Sequence, residues 1–199
     1  MSGLLVEAEL RGITKSFGPV QANQDVNLKI TPGTIHALIG ENGAGKSTAS
    51  KILFGMIQPD AGEIVINKTK VKKWSSHIAL NYGLGMVHQH FTLADTETVQ
   101  DNLVLGIEKT KFLFFRNRKK EAEELLGLMQ KTGLHVPLNK RAGELSVGAQ
   151  SRCEILKVLY RNASLLILDE PTAVLTPNEV EEFLKTLLHL KQHGKSILI

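Results

Sequence analysis

A single cysteine in 199 residues, Cys153, excludes an internal disulfide and fits a reducing compartment such as the cytosol. No apolar run approaches the roughly 18 to 20 residues that a membrane-crossing helix needs. The opening MSGLLVEAEL lacks the basic stretch that precedes the apolar part of an export signal. Internal repeats and low-complexity tracts are absent as well. Neither sign of charge dominates: 24 Lys and Arg stand against 20 Asp and Glu, which suits anionic ligands and falls short of the dense basic clusters of nucleic-acid binders. The local exception is Lys109 to Lys120, KTKFLFFRNRKK, whose basic residues flank four apolar ones. It reads as a loop with packed aromatics in preference to a patch facing anionic lipid or another protein. What is present is the length of one domain, with 42% apolar residues to form its core.

Periodicity divides the chain. LLVEAELRGI and QDVNLKI alternate as strands of an antiparallel region, and the apolar run IHALIG predicts a buried strand. KSTASKILFG has helical spacing and closes on Gly55; GEIVIN, after the turn at Pro59 to Gly62, is a strand, and GLGMVHQHF is another that frays at Gln89. From Val99 to about Thr132 the spacing predicts an all-helical insert with Leu125, Leu128 and Met129 on one face. A helix from Ser146 to about Asn162, the strand SLLILDE, a helix from about Pro177 to His193 and the strand SILI complete the pattern. The T-P-N-E of Thr176 to Glu179 is a capping box. Strands alternating with helices predict an α/β fold with a mainly parallel sheet, an N-terminal antiparallel β region and an inserted α-helical subdomain. The expected division is a core from 1–91 and 146–199, interrupted by helices over about 92–145.

Gly40 to Thr48, GENGAGKST, satisfies G-x-x-x-x-G-K-[ST] between a strand and a helix, the context that makes this motif a phosphate cradle. The residues concerned are Gly40, Asn42, Gly43, Ala44, Gly45, Lys46, Ser47 and Thr48. Backbone N–H groups from Asn42 to Lys46 can wrap an anion, and the helix start adds about half a positive charge. Lys46 is placed for the β and γ phosphates, and the Ser47 hydroxyl for Mg2+. Asp169 and Glu170 close the strand SLLILDE, where ligands of open α/β sheets collect. Asp169 is the candidate for holding Mg2+ through water, Glu170 for orienting or deprotonating an attacking water. His88 and His90 form H-x-H around Gln89, without a third metal ligand nearby in sequence. Trp74 and Tyr82 carry no assignable role.

LSVGAQ, residues 145–150, raises a different question. Ser146 suits a helix N-cap, which by itself accounts for the motif. The same helix start, with its free N–H groups and the Ser146 hydroxyl, also suits an anion. Carried on the inserted subdomain, it is better placed for a partner's phosphates than for the chain's own.

GENGAGKST, Gln89 in MVHQHF, LSVGAQ and LILDEPT, in this order and spacing, resemble the nucleotide-binding domain of ABC transporters over nearly the whole chain. The resemblance implies an ATPase using ATP and Mg2+, in which two such domains pair head to tail. Each ATP then lies between one domain's phosphate loop and the other's signature, here Ser146, Val147, Gly148 and Gln150. It further implies that Gln89 touches Mg2+ or the attacking water and reports to the membrane subunits. Phe17 would stack on adenine, a core phenylalanine being the alternative reading. The chain departs from the family pattern at Val147 and Ala149, and Thr176 stands where an aspartate is usual; a helix cap is at least as good a role for it. LSVGAQ, MVHQHF and DEPTAVLTP look like the bacterial subfamily that imports simple sugars and nucleosides.

That subfamily commonly fuses two ATP-binding halves, and the resemblance makes this the N-terminal half of such a chain, cut short in a strand. The partners it implies are a second ATP-binding domain, transmembrane permease subunits and, indirectly, an extracytoplasmic substrate-binding protein, at the cytoplasmic face of the membrane and without nucleic acid. The family's switch histidine is expected beyond Ile199, so hydrolysis by these residues alone is expected to be weak. His189 and His193 read as solvated. A soluble ABC-type ATPase acting on nucleic acid or ribosomes and a non-hydrolysing nucleotide-binding module are the alternatives.

Overall fold

The computed structural model describes residues 5–89, 91–108, 110–111 and 115–199. β1 (Ala8–Phe17) and β2 (Val20–Ile30) form a hairpin that turns at Gly18 and Pro19, with Ala8 opposite Ile30 and Leu10 opposite Leu28. Alternation in β1 sends Ala8 and Leu10 into the core, and a register shift between Leu10 and Ile13 lets Ile13 join them, each at 0% exposure. After β3 (Ile35–His36) and α1 (Lys46–Leu53), β4 (Ala61–Ile66) pairs antiparallel with the other edge of β1 and with β5 (Thr69–Lys70). This antiparallel sheet has the order β2-β1-β4-β5.

A short helix, α2 (Ser76–Asn81), leads into β6 (Leu84–Val87). The insert follows: α3 (Val99–Val104), the two-residue strands β7 (Thr110–Lys111) and β8 (Phe115–Arg116), and α4 (Arg118–Thr132). Then come α5 (Val147–Tyr160), β9 (Leu165–Leu168), α6 (Pro177–Gln192) and β10 (Ser196–Leu198). The second sheet, ordered β3-β10-β9-β6, is parallel throughout. No helix among the described residues is long and apolar enough to cross a membrane.

β9 explains its own unbroken apolar sequence. Leu165 and Ile167 face a core shared with α1, β1 and β4, whereas Leu166 and Leu168 face one shared with α3, α4, α5 and α6. A strand covered on both faces has no polar side to show. At roughly 1.5–3 kcal/mol for each fully buried aliphatic side chain, β9 is a principal hydrophobic tie between the two layers. Gly85 in β6 allows α5 to approach: a Cβ there would lie 2.0 Å from Val158 Cγ1 and 3.0 Å from Ala163 Cβ.

Two expectations from the sequence fail. The run IHALIG forms only the two-residue β3, and Ile39 is 94% exposed. β3 is an edge strand, hydrogen-bonded on its β10 side alone, so its apolar residues are not enclosed. The insert is not all helical either, because β7 and β8 pair antiparallel between α3 and α4. Arg116, at the end of β8, joins the two helices through Asp101 (2.8 Å) and the buried Glu121 (2.8 Å). The Glu121 hydrogen bond, ahead of that to Asp101, pushes its guanidinium pKa up. The aromatic side chains of the Lys109–Lys120 stretch lie outside the described residues. So does His90 of the H-x-H pair.

Trp74, unassigned from sequence, is buried and donates from Nε1 to the carbonyls of Ile52 (3.1 Å) and Leu53 (3.0 Å). Both carbonyls lie at the end of α1, where intrahelical donors run out; Ile52 O also accepts from the Gly55 N–H (2.9 Å), and the indole adds a donor to each.

Candidate functional site

The phosphate loop runs from the end of β3 into α1. Gly45, the residue before α1, has φ 87° and offers no side-chain cap, which leaves the first N–H groups of the helix to an external anion. Only glycine serves there: a Cβ would meet Ala22 O at 2.1 Å and Asn23 Nδ2 at 2.7 Å. Asn23, on β2, donates to Gly45 O (3.2 Å) and so fastens the loop to the antiparallel sheet. Lys46 Nζ bends back over the loop, donating to Gly40 O (2.8 Å) and Glu41 O (2.9 Å). The loop from Gly40 to Ala44 is exposed, and Ser47 and Thr48 lie half-buried in the first turn of α1.

The acidic residues follow the end of β9, and strand register brings Gln89 to them. β6 and β9 are parallel neighbours with Val87 opposite Leu168, so Gln89 and Glu170 each lie two residues beyond the same rung. Gln89 Nε2 donates to Glu170 Oε2 at 2.9 Å. Glu170 holds a left-handed backbone, φ 49°, which is costly for a non-glycine residue and characteristic of functional sites. Asp169 is 5% exposed, its N–H held by Val87 O (3.1 Å), and its carboxylate lies 4.0 Å from Lys51 Nζ on α1. Uncapped helix N–H groups, a lysine, a hydroxyl and a buried carboxylate form a donor set that fits a polyphosphate with a hard divalent cation.

The LSVGAQ residues are placed elsewhere. Ser146 caps α5, its Oγ accepting from Ala149 N–H (3.3 Å), and is itself exposed. Val147 is 39% exposed, whereas Gly148 is buried beneath Glu179, to which its N–H donates at 3.1 Å. Gln150 turns inward and donates to Ala142 O and Leu145 O, each at 3.4 Å. Among the described residues no hydrogen bond or ion pair joins 146–150 to 40–48.

Phe17 ends β1 at the hairpin tip and is 48% exposed, with Lys15 Nζ 5.5 Å from its ring centre; it is not a core phenylalanine. His189 and His193 pack against each other at the end of α6, centroids 4.2 Å apart and rings tilted by 42°. Their hydrogen bonds go to Lys131 O and to His189 O. Asn23, Lys51 and Glu179 escaped the sequence reading. Only Glu179 had a visible signal, the capping box, which gave no hint of Gly148.

A glycine loop between a strand and a helix, with acidic residues at the open end of a parallel sheet, defines a phosphate-loop nucleotide-binding domain. Residues 23–173 match the ABC transporter family, and the chain belongs to it. It is 47% identical over 190 residues to the guanosine import ATP-binding protein NupO of Bacillus subtilis, covering 96% of this chain and 37% of that protein. Identity to a putative carbohydrate transport ATP-binding protein of Mycoplasma pneumoniae is 45%, over 96% of this chain and 35% of that one. The chain therefore spans little more than a third of the length of these relatives. Among solved structures, the ADP conformation of MJ1267, an ATP-binding cassette of an ABC transporter, matches with a TM-score of 0.84 at 25% identity. That match covers 98% of this chain and 80% of the other.

Proposed function

We propose that the chain is the ATP-binding part of an importer for simple sugars or nucleosides, and that a head-to-tail pair of such domains couples ATP binding and hydrolysis to transport. The observation that carries this reading is the Gln89–Glu170 hydrogen bond at the open end of the phosphate-loop sheet. It holds a carboxylate at that end of the sheet, which supports the reading of Glu170 as the acceptor of a proton from the attacking water. The similarity to nucleoside and carbohydrate import proteins supports the substrate class.

In this reading the α1 N–H groups and Lys46 hold the β and γ phosphates, and Phe17 stacks on the adenine. Ser47, Asp169 and Gln89 hold Mg2+, which when bound neutralises phosphate charge and orients the terminal phosphate. Glu170 accepts the proton of the water whose oxygen attacks the γ-phosphorus as the bond to the β-phosphate oxygen breaks. Ser146, Val147, Gly148 and Gln150 contribute to a partner's ATP, which agrees with the lack, among the described residues, of any hydrogen bond or ion pair from them to the chain's own loop. Gln89, beside a groove of about 430 Å3 lined in part by Met86, His88, Leu105 and Arg161, passes the change to permease subunits at the cytoplasmic face.

Binding is the first test. In the intact protein, Lys46→Ala weakens ATP about 10- to 100-fold, the worth of a charge-assisted hydrogen bond. Unaltered ATP affinity by calorimetry contradicts the phosphate-loop reading.

A further inference from the structure

We infer that Glu179 is a latch that occupies the partner-facing helix start until nucleotide phosphate displaces it. The inference rests on the proposed reading of the α5 start as the site for a partner's phosphate. One oxygen, Oε2, accepts from the Thr176 N–H (3.0 Å) and the Thr176 hydroxyl (2.9 Å), and so caps α6. The other oxygen, Oε1, accepts from Gly148 N–H at 3.1 Å. The contact is close: a Cβ on Gly148 would stand 2.6 Å from Oε1.

Three of the first N–H groups of α5 are thereby engaged within the chain: Gly148 by Glu179, Ala149 by Ser146 Oγ and Gln150 by Ser146 O. An arriving phosphate meets a carboxylate on the donor it would use, and two anions do not share one N–H group without strong repulsion. The division of labour between the two oxygens gives the way out. Oε1 can leave Gly148 while Oε2 keeps the cap, so release leaves α6 intact. There is also space to move into, a cavity of about 140 Å3 lined by Gly148, Ser151, Arg152, Leu175, Glu179 and Glu182. Arg152, now 3.6 Å from Glu182, provides a cation for the displaced carboxylate. The latch thus connects the segment following Glu170 to the surface offered to the partner.

ATP turnover by the intact protein, resolved into KM and kcat, tests this. Glu179→Gln removes the repelling charge and lowers KM about fivefold, with kcat within about twofold. Arg152→Gln removes the receiving cation and raises KM by a similar factor, an opposite sign that general loss of folding does not produce. Thr176→Ala, which weakens the cap but leaves Oε1 on Gly148, lowers the melting temperature and leaves KM in place. A KM unmoved by both Glu179→Gln and Arg152→Gln overturns the latch. Ser146→Arg reports on the reading beneath: if it abolishes turnover while those two variants are silent, the latch alone falls. If Ser146→Arg leaves turnover unchanged, no phosphate is read at this helix start and both ideas fall.

Discussion

Glu170 carries the cost of a left-handed backbone, and its carboxylate is held by a neighbouring amide. The strain does not improve the fold and is accounted for if the position exists to handle a proton. Cys153 is the contrasting case. It is fully buried in α5, and burial, with the nearby Glu154 charge adding to it, pushes its thiol pKa up to about 12. A thiol so protonated and enclosed is inert. Its reaction with a disulfide reagent at pH 8 should therefore proceed only as fast as the chain opens, and rapid labelling of the native protein would contradict this placement. Contiguity decided what was legible at this scale. The phosphate loop declares itself in nine consecutive residues, whereas Asn23 contacts it from 22 positions away, and Glu179 meets Gly148 across 31. Nothing in local spacing announces such pairs.

The elements were legible where one rule governed them. β9 and α6 follow from their apolar pattern and capping box, both of which the structure contains. IHALIG misled because an apolar run does not say how many neighbours a strand has; edge position left Ile39 in the open. The β7–β8 pair hides in a stretch without an Asn-Gly or Asp-Gly turn and too short to show alternation. Contacts between elements give sharper tests. Gly85→Ala puts a methyl where Val158 now stands, and overpacking of this kind costs about 1–3 kcal/mol, measurable by urea unfolding. An unchanged unfolding midpoint would deny the close approach of β6 and α5. The α6 cap has a pH signature. Hydrogen bonds from the Thr176 N–H and hydroxyl, and then from Gly148 N–H, hold the Glu179 pKa below its ordinary 4.5. A lowered folded-state pKa contributes stability above the unfolded value that is lost as pH falls through the folded one. Glu179→Gln therefore flattens the loss of stability below about pH 4.5, and an identical acid limb would place the carboxylate elsewhere.

At the scale of the whole molecule, β9 lies between two cores and ends on the acidic pair, so the packing that stabilises the domain also aims Asp169 and Glu170. Parallel register brings Gln89 to the same edge. Among the described residues no hydrogen bond or ion pair ties the start of α5 to the phosphate loop, which suits the proposed sharing of a nucleotide between two domains. The α/β architecture, the motif order and the inserted helices were all readable in sequence, because each follows from periodicity or a contiguous motif. The relation between the starts of α1 and α5 was not, since it depends on how the layers stack. The central claim is that Glu170, held by Gln89, takes the proton of the water that attacks ATP. Single-turnover hydrolysis of ATP by the intact protein, compared with Glu170→Gln at matched nucleotide occupancy, tests it most directly. The account predicts a fall of about 100-fold or more in the rate with ATP affinity retained. A rate unchanged by the substitution would contradict it.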